Sequence, residues 1–422
     1  MKIVLALALN AAFLYGLYRW LRRERQVPEL GRYLLPTLAL RILAGWLNAA
    51  MVLLKNEGDA LQFERWARLL TAQFWAEPRG WLHTLWGDSF QFESYSLVYH
   101  GHSNTFFIMK VLSVLNLASL GNTWLNSLYL SVLGFGGCWL LVRCVTQYFP
   151  EARVGAILAF LLWPSVLYWA SGITKESLLL GSAAGLVAVV VRWLYGPTGK
   201  SGWLALGALV LATLVFKMRF FFAAFLFVSL AGLALVRFFQ LLGTAKQRWL
   251  QVLIFLLVPL LGGWLAGEVS PVFRFNKFSN QLIHNYTELL ADSRDRPHIE
   301  FKDLAPTAES MAVNAPEAFF SALFRPFPGE SASPLFVVAA VENVVLLLLL
   351  ALTLASVLGG KTGPLPFAVV VALLFYCVVV LTLIGLSTPN LGTLNRYRAG
   401  VLPFLVLVQN AYVTRWLRRW PF

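Results

Sequence analysis

Asp59 stands in Lys55-Asn-Glu-Gly-Asp59-Ala-Leu-Gln-Phe63-Glu-Arg-Trp-Ala67, directly after a long apolar run. A carboxylate at the mouth of such a run can be partly desolvated, which tunes it toward general-base work. On local grounds alone, the same residue reads as the N-cap of the amphipathic helix that follows. Glu57 offers a second carboxylate two positions earlier. A short polar turn, Ser171-Gly-Ile-Thr-Lys175-Glu176, sits between two other apolar runs. Ionisable groups so close to hydrocarbon are functional candidates; a helix cap with a snorkelling lysine is the alternative. Further cations stand at the ends of apolar runs: Lys217 and Arg219, Arg325 in Phe-Arg-Pro-Phe-Pro, and Arg396 and Arg398 in Gly392-Thr-Leu-Asn-Arg-Tyr-Arg. Guanidinium forks match phosphate oxygens, and snorkelling to headgroups is the competing use. His100 and His102 form an H-x-H pair that could hold a divalent metal, partner a sugar, or simply lie at an interface. Two ligands without a clear third assign no metal site. The run Asp292-Ser-Arg-Asp-Arg reads as a solvated face.

The elements that must position these residues follow from composition. Of 422 residues, 59% are apolar and 13% charged, with a mean hydropathy of +0.69. Soluble domains carry about 25% charged and about 45–50% apolar residues. A chain this apolar and this long implies a polytopic membrane protein, and excludes a disordered or disulfide-stapled one. Cys138, Cys144 and Cys377 lie inside apolar runs and read as small buried hydrophobes. The net charge of +14 comes from Lys and Arg between apolar runs. It reflects topology and anionic membrane lipid, with no nucleic-acid partner. Phosphate-loop, dinucleotide, C-x-x-C and H-E-x-x-H motifs are absent from the sequence.

Apolar runs able to span, or nearly span, a bilayer fall at 2–18, 33–54, 126–147, 154–170, 176–194 and 203–216. Others fall at 220–239, 250–267, 334–358, 366–386 and 399–416, giving about eleven spans. Basic clusters at 19–32, 143–153, 192–200, 237–248, 361 and 415–419 all share one side if the N-terminus is outside and the C-terminus inside. Two long segments, 55–125 and 268–333, then lie outside, each with helices expected at the membrane surface. Every Asp and every His of the chain falls on that outer side. No internal repeat is visible, which weakens a transporter reading.

In order and spacing, the carboxylate after an early span and its interfacial helix resemble the GT-C glycosyltransferase superfamily. So do His100-Gly-His-Ser-Asn, Leu120-Gly-Asn-Thr-Trp, Phe149-Pro-Glu-Ala-Arg, Trp163-Pro-Ser-Val-Leu-Tyr-Trp and Ser171-Gly-Ile-Thr-Lys-Glu. The likeness is to lipid-linked sugar transferases such as protein mannosyltransferases and aminoarabinose transferases. It covers 33–240 by pattern and the rest by topology. It implies an all-α GT-C-like bundle that takes a sugar from a polyprenyl phosphate-linked donor to a lipid, glycan or protein acceptor. It also implies Asp59 as catalytic base and basic residues near the late spans as ligands of the carrier phosphate. Many relatives carry two adjacent acids, whereas Gly58 separates Glu57 from Asp59 here, so either residue is a candidate base. The implied parts are an N-terminal helix with a basic loop (1–32), a transmembrane module (33–267), an outer capping segment (268–333) and C-terminal helices (334–422). A bacterial inner membrane with the site facing the periplasm is the expected setting. No cofactor is assigned, and a divalent metal at the histidine pair is the one candidate. The rival readings are a polymerase or ligase acting on polyprenyl diphosphate-linked glycans, which would lean on the arginines, and a lipid or glycan transporter. The latter would want charged or broken helices at mid-membrane. Arg41 and Glu342 are the few ionisable residues within the spans, and Arg41 is expected to snorkel.

Overall fold

The computed structural model describes residues 1–55, 58–99, 103–197, 202–269, 274–293, 296–361 and 363–417. The chain is an all-α, membrane-embedded protein, and among the described residues its one sheet is a two-stranded hairpin. Two compact units form: Met1–Arg143 with Leu167–Leu186 and Leu206–Phe220, and Cys144–Val166 with Val187–Ala205 and Phe221–Phe422.

The chain opens with α1 (Lys2–Glu24), α2 (Gly31–Lys55), α3 (Asp59–Ala76) and α4 (Pro78–Trp86). Strands β1 (Ser89–Phe92) and β2 (Tyr95–Val98) follow, then α5 (Asn104–Ser119) and α6 (Thr123–Tyr148). After a 3-10 turn at Pro150–Ala152 come α7 (Arg153–Ile157), a π-helical turn at Leu158–Leu162 and α8 (Pro164–Trp169). Next are α9 (Lys175–Tyr195), α10 (Gly202–Met218), α11 (Phe220–Leu241) and α12 (Arg248–Val269). The chain continues through α13 (Phe275–Ala291), α14 (Ala308–Phe324) and α15 (Pro334–Leu358). It closes with α16 (Phe367–Ser387), α17 (Leu391–Arg398) and α18 (Leu402–Leu417).

Among the described residues, seven helices are long and apolar enough to cross a bilayer: α1, α2, α6, α9, α11, α15 and α16. The remaining expected spans are shorter apolar helices (α10, Arg248–Trp264 of α12, Leu402–Val413 of α18) or, at 154–170, an interrupted one. The interruption has a local cause. Proline disfavours helical backbone in the residue before it, and Trp163 is extended (φ −64°, ψ 123°) ahead of Pro164. The amide freed at Ser165 donates to Glu342 Oε2 (2.8 Å), and the Ser165 hydroxyl donates to Glu342 Oε1 (2.6 Å). Backbone groups must be satisfied within the protein where no water competes, so a buried carboxylate of α15 caps the second half-helix.

In the first unit, α6 and α9 approach through small residues, because a Cβ on Gly137 would stand 1.8 Å from the Gly181 carbonyl oxygen. Lipid supplies no hydrophobic drive for helix pairing, so close packing and buried hydrogen bonds must hold such crossings together. Two of those bonds are Ser177 Oγ to Leu130 O (2.9 Å) and Gly172 N to Ser131 Oγ (2.9 Å). Helix α3 buries Phe63, Ala67 and Leu70, spaced for one face, and packs on α4 and α5. The hairpin joins them, with Trp66 of α3 meeting Phe90 and Tyr95 edge-on and Gln73 donating to Gln91 O (3.1 Å). Arg41, expected to snorkel, is instead buried within α2.

In the second unit, α16 is the central helix and packs against α12, α13, α14, α17 and α18. The segment after α13 is pinned to the start of α17. Ile299 N donates to Pro389 O (3.0 Å) and Asn390 Nδ2 to Ser293 Oγ (3.0 Å).

Candidate functional site

The expected site residues fall into two clusters, one in each unit. In the first unit, Gly58 caps α3 at φ 109°, a left-handed conformation that glycine adopts without strain. Asp59 is therefore the first helical residue and not the N-cap. A carboxylate in a first turn is favoured by the helix dipole, and this one is exposed, so the resting site does not desolvate it. One turn on, Phe63 is buried beneath the ammonium of Lys175, whose Nζ lies 4.9 Å from the ring centroid. Lys175 opens α9 and donates to Asn104 Oδ1 and Thr105 Oγ1 at the start of α5, both at 2.8 Å. The α5 start is itself fixed by Ser103, whose hydroxyl accepts from Phe106 N (3.2 Å). The beginnings of α3, α5 and α9 thus converge, and their dipoles together favour an anion.

Beside Lys175, Glu176 is buried and accepts from Arg219 at 2.9 Å, with 2% and 14% of the two side chains exposed. Arg219 occupies the junction between α10 and α11, so this pair ties two helix connections together. Lys217 is half-buried one position inside α10. It faces the field of a residue that sequence reasoning passed over, Lys110 of α5. The Lys110 ammonium donates to Gly87 O (2.5 Å) and lies 4.2 Å from the Phe106 ring centroid. Burial lowers its pKa to about 8; Asp88 opposes that shift and the like charge of Lys217 adds to it. A lone lysine in Phe-Phe-Ile-Met-Lys110-Val-Leu was the available signal.

Under this cluster lies a buried polar layer. Thr123 donates to Glu64 Oε2 (3.0 Å), Asn126 to Asn116 Oδ1 (2.8 Å), and Asn116 to Thr71 Oγ1 (3.2 Å). Burial raises the Glu64 carboxyl pKa, while the Thr123 hydrogen bond opposes the shift. These bonds fix the roll of α3 about its axis, and hence where Asp59 projects.

In the second unit, Arg325 ends α14 and donates from Nε to Glu330 Oε1 (2.9 Å). Arg396 is half-buried on α17, with its guanidinium 5.3 Å from the Tyr397 ring centroid. Arg398 is fully buried. It donates to Leu323 O (2.9 Å) and to Asn343 Oδ1 (2.7 Å), with Glu342 Oε1 at 3.9 Å. The last carbonyls of a helix have no partner within it, and Arg398 supplies donors at the end of α14. As placed, it shows no surface to a lipid phosphate, unlike Arg396.

Glu57, His100 and His102 lie outside the described residues. Among the described residues, no three His, Cys, Asp or Glu side chains gather as metal ligands. The chain matches no family model, no curated protein and no solved structure.

Proposed function

We propose that this chain is a GT-C-like membrane glycosyltransferase that transfers a sugar from a polyprenyl phosphate-linked donor to a lipid, glycan or protein acceptor. The observation that carries the reading is Lys175, which opens α9 beside the Glu176–Arg219 pair and joins the start of α5 to Phe63 of α3, one turn after Asp59. A base, a set of cations and converging helix N-termini are what sugar transfer from a phosphate requires. Asp59 takes the proton of the acceptor hydroxyl as its oxygen bonds to the anomeric carbon. The bond from that carbon to the phosphate oxygen breaks, and the carrier phosphate leaves with the electron pair. Lys175, Lys217 and Arg219 offset its charge.

The chemistry is assigned to the outer, periplasmic face of a bacterial inner membrane, with eleven spans, the N-terminus outside and the C-terminus inside. Nucleotide sugars do not cross a membrane, so a donor used on that face must be lipid-linked. Reporter fusions at Arg25, Pro150, Pro197, Ala245 and Lys361 should report the inner side, and those at Asp88 and Gly392 the outer side. A reversed result at Asp88 contradicts the mechanism, because Asp59 would face the wrong donor pool.

The chemical test is Asp59→Asn on purified protein. Single-turnover transfer should fall by roughly 10²–10⁴ with donor affinity largely kept. Full activity in Asp59→Asn and in Glu57→Gln removes the base from this loop and favours the arginine-led polymerase or ligase. The transporter reading gains one specific support, the half-helix break at Trp163–Pro164 capped by Glu342. Flux of a lipid-linked glycan without any bond change would favour it.

A further inference from the structure

Helix α1 has little of its surface covered, since only Ala6 and Glu24 are buried along it. Its apolar flank is open, with Leu14, Tyr15 and Tyr18 at 61%, 62% and 60% exposure. Its last turns are different. Trp20 packs edge-on against Phe135 of α6, at 6.3 Å between ring centroids. One turn later Glu24 turns inward and receives Arg143 (2.6 Å), Trp139 Nε1 (3.1 Å) and Arg23 (3.0 Å). Phe135, Trp139 and Arg143 follow one another at four-residue spacing along one face of α6, so the end of α1 is fastened there. A cavity of about 740 Å³ opens at this end, lined by Arg19, Trp20, Arg22, Arg23 and Gln26. Glu24 is buried and holds Arg23 and Arg143, which leaves Arg19 and Arg22 as the lining guanidinium groups outside that ion pair.

We infer that this cavity binds the phosphate headgroup of an anionic lipid, with the acyl chains along the exposed apolar flank of α1. Arg19 and Arg22 supply forked donors for phosphate oxygens, while Arg23 gives its fork to Glu24. Trp20 supplies the amphipathic ring suited to headgroup depth. Basic clusters beside a membrane helix attract anionic lipid in general. What marks this one is an open cavity whose Trp20 packs on α6 and whose Arg23 pairs with Glu24, itself held by Trp139 and Arg143 of α6. The site is separate from the Asp59 cluster and does not depend on the proposed reaction.

The test is native mass spectrometry of the full chain titrated with phosphatidylglycerol, phosphatidylcholine or inorganic pyrophosphate. Phosphatidylglycerol should be retained over phosphatidylcholine, and Arg19→Gln/Arg22→Gln should weaken it by roughly 25-fold, about fivefold for each charge. Both substitutions spare the Arg23–Glu24 contact. Arg22→Lys, which keeps charge, should lose less than Arg22→Gln. A charge-matched control, Lys246→Gln/Lys361→Gln, should leave retention unchanged. Equal losses in the control and the site variant overturn the proposal, as does equal retention of both lipids. Pyrophosphate bound through Arg19 and Arg22 without lipid retention also overturns it, and assigns these arginines to a soluble anion.

Discussion

Two Arg–Glu pairs in this molecule start from the same ingredients and reach different ends. Glu176 in the first unit and Glu342 in the second are nearly equally buried, at 2% and 4% side-chain exposure. Their arginines differ. Arg219 stays within 2.9 Å of its carboxylate and keeps 14% of its side chain open, next to half-buried Lys175, the chain neighbour of Glu176. Arg398 is sealed at 0%, stands 3.9 Å from Glu342, and gives its closest hydrogen bonds to Leu323 O and Asn343. A buried guanidinium surrounded by carbonyls that need donors works as a structural tie. One that keeps part of its side chain open, with an ammonium on the residue next to its carboxylate, can meet a ligand. Charge and residue type alone do not separate the two uses; the surroundings of the cation do.

Breaking the sealed pair should produce the largest effect on stability. Arg398→Ala strands the Glu342 carboxylate and the carbonyls at the end of α14, and should cost about 3–5 kcal/mol. Thermal unfolding of detergent-purified protein measures that loss. Arg398→Met combined with Glu342→Gln should recover much of it, because the Gln oxygen can still accept from Ser165 while the unpaired charge is gone. A small effect of Arg398→Ala, accompanied by weaker donor binding, would move Arg398 from architecture into the site.

Lys175→Met tests the open side of the comparison. In the proposed site this ammonium meets the donor's phosphate, so donor affinity should fall by about 1.5–3 kcal/mol. Turnover at saturating donor should change far less, a split read from lipid-donor titration alongside single-turnover rates. Loss of fold instead of affinity would make Lys175 a second structural tie.

The smallest effect should come from Lys110, through pH. With its pKa lowered to about 8 by burial, it is charged below that pH and neutral above it. Donor affinity should therefore weaken as pH rises from about 7 to 9, and the weakening should vanish in Lys110→Arg. The stability term has the opposite sense. The unfolded chain binds this proton more tightly, so the group opposes folding below about 8, and that opposition fades toward 10.5. A flat affinity profile in the parent protein would separate Lys110 from the donor site.

Much of this was legible in the sequence, and the gaps have physical causes. The apolar stripe at Phe63, Ala67 and Leu70 marks α3, and α3 and α5 both lie in the 55–125 segment where surface helices are expected. The hairpin leaves a weak sequence signal although Ser-Phe-Gln-Phe alternates as a strand should, because its turn at Glu93-Ser94 lacks the usual glycine or asparagine. The break before Pro164 was also readable, since proline removes an amide and constrains its predecessor, but hydropathy over 154–170 hid it. Arg396 and Arg398 stand together in Asn-Arg-Tyr-Arg. Two residues apart on a helix, they lie roughly 200° apart around the axis, so α17 buries one and leaves the other half-covered. Nothing in the spacing could place Lys175 against Asn104 and Thr105, about seventy positions away. Contacts at that separation come from how the helices assemble.

The measurement that bears most directly on the central claim is mass spectrometry of lipid-linked glycans in cells lacking the gene. A polyprenyl phosphate-linked sugar should accumulate, clear when the parent chain is restored, and persist when Asp59→Asn is supplied at equal membrane abundance. Lipid-linked sugars and their acceptors that stay unchanged on deletion would contradict the assignment of this chain as a glycosyltransferase.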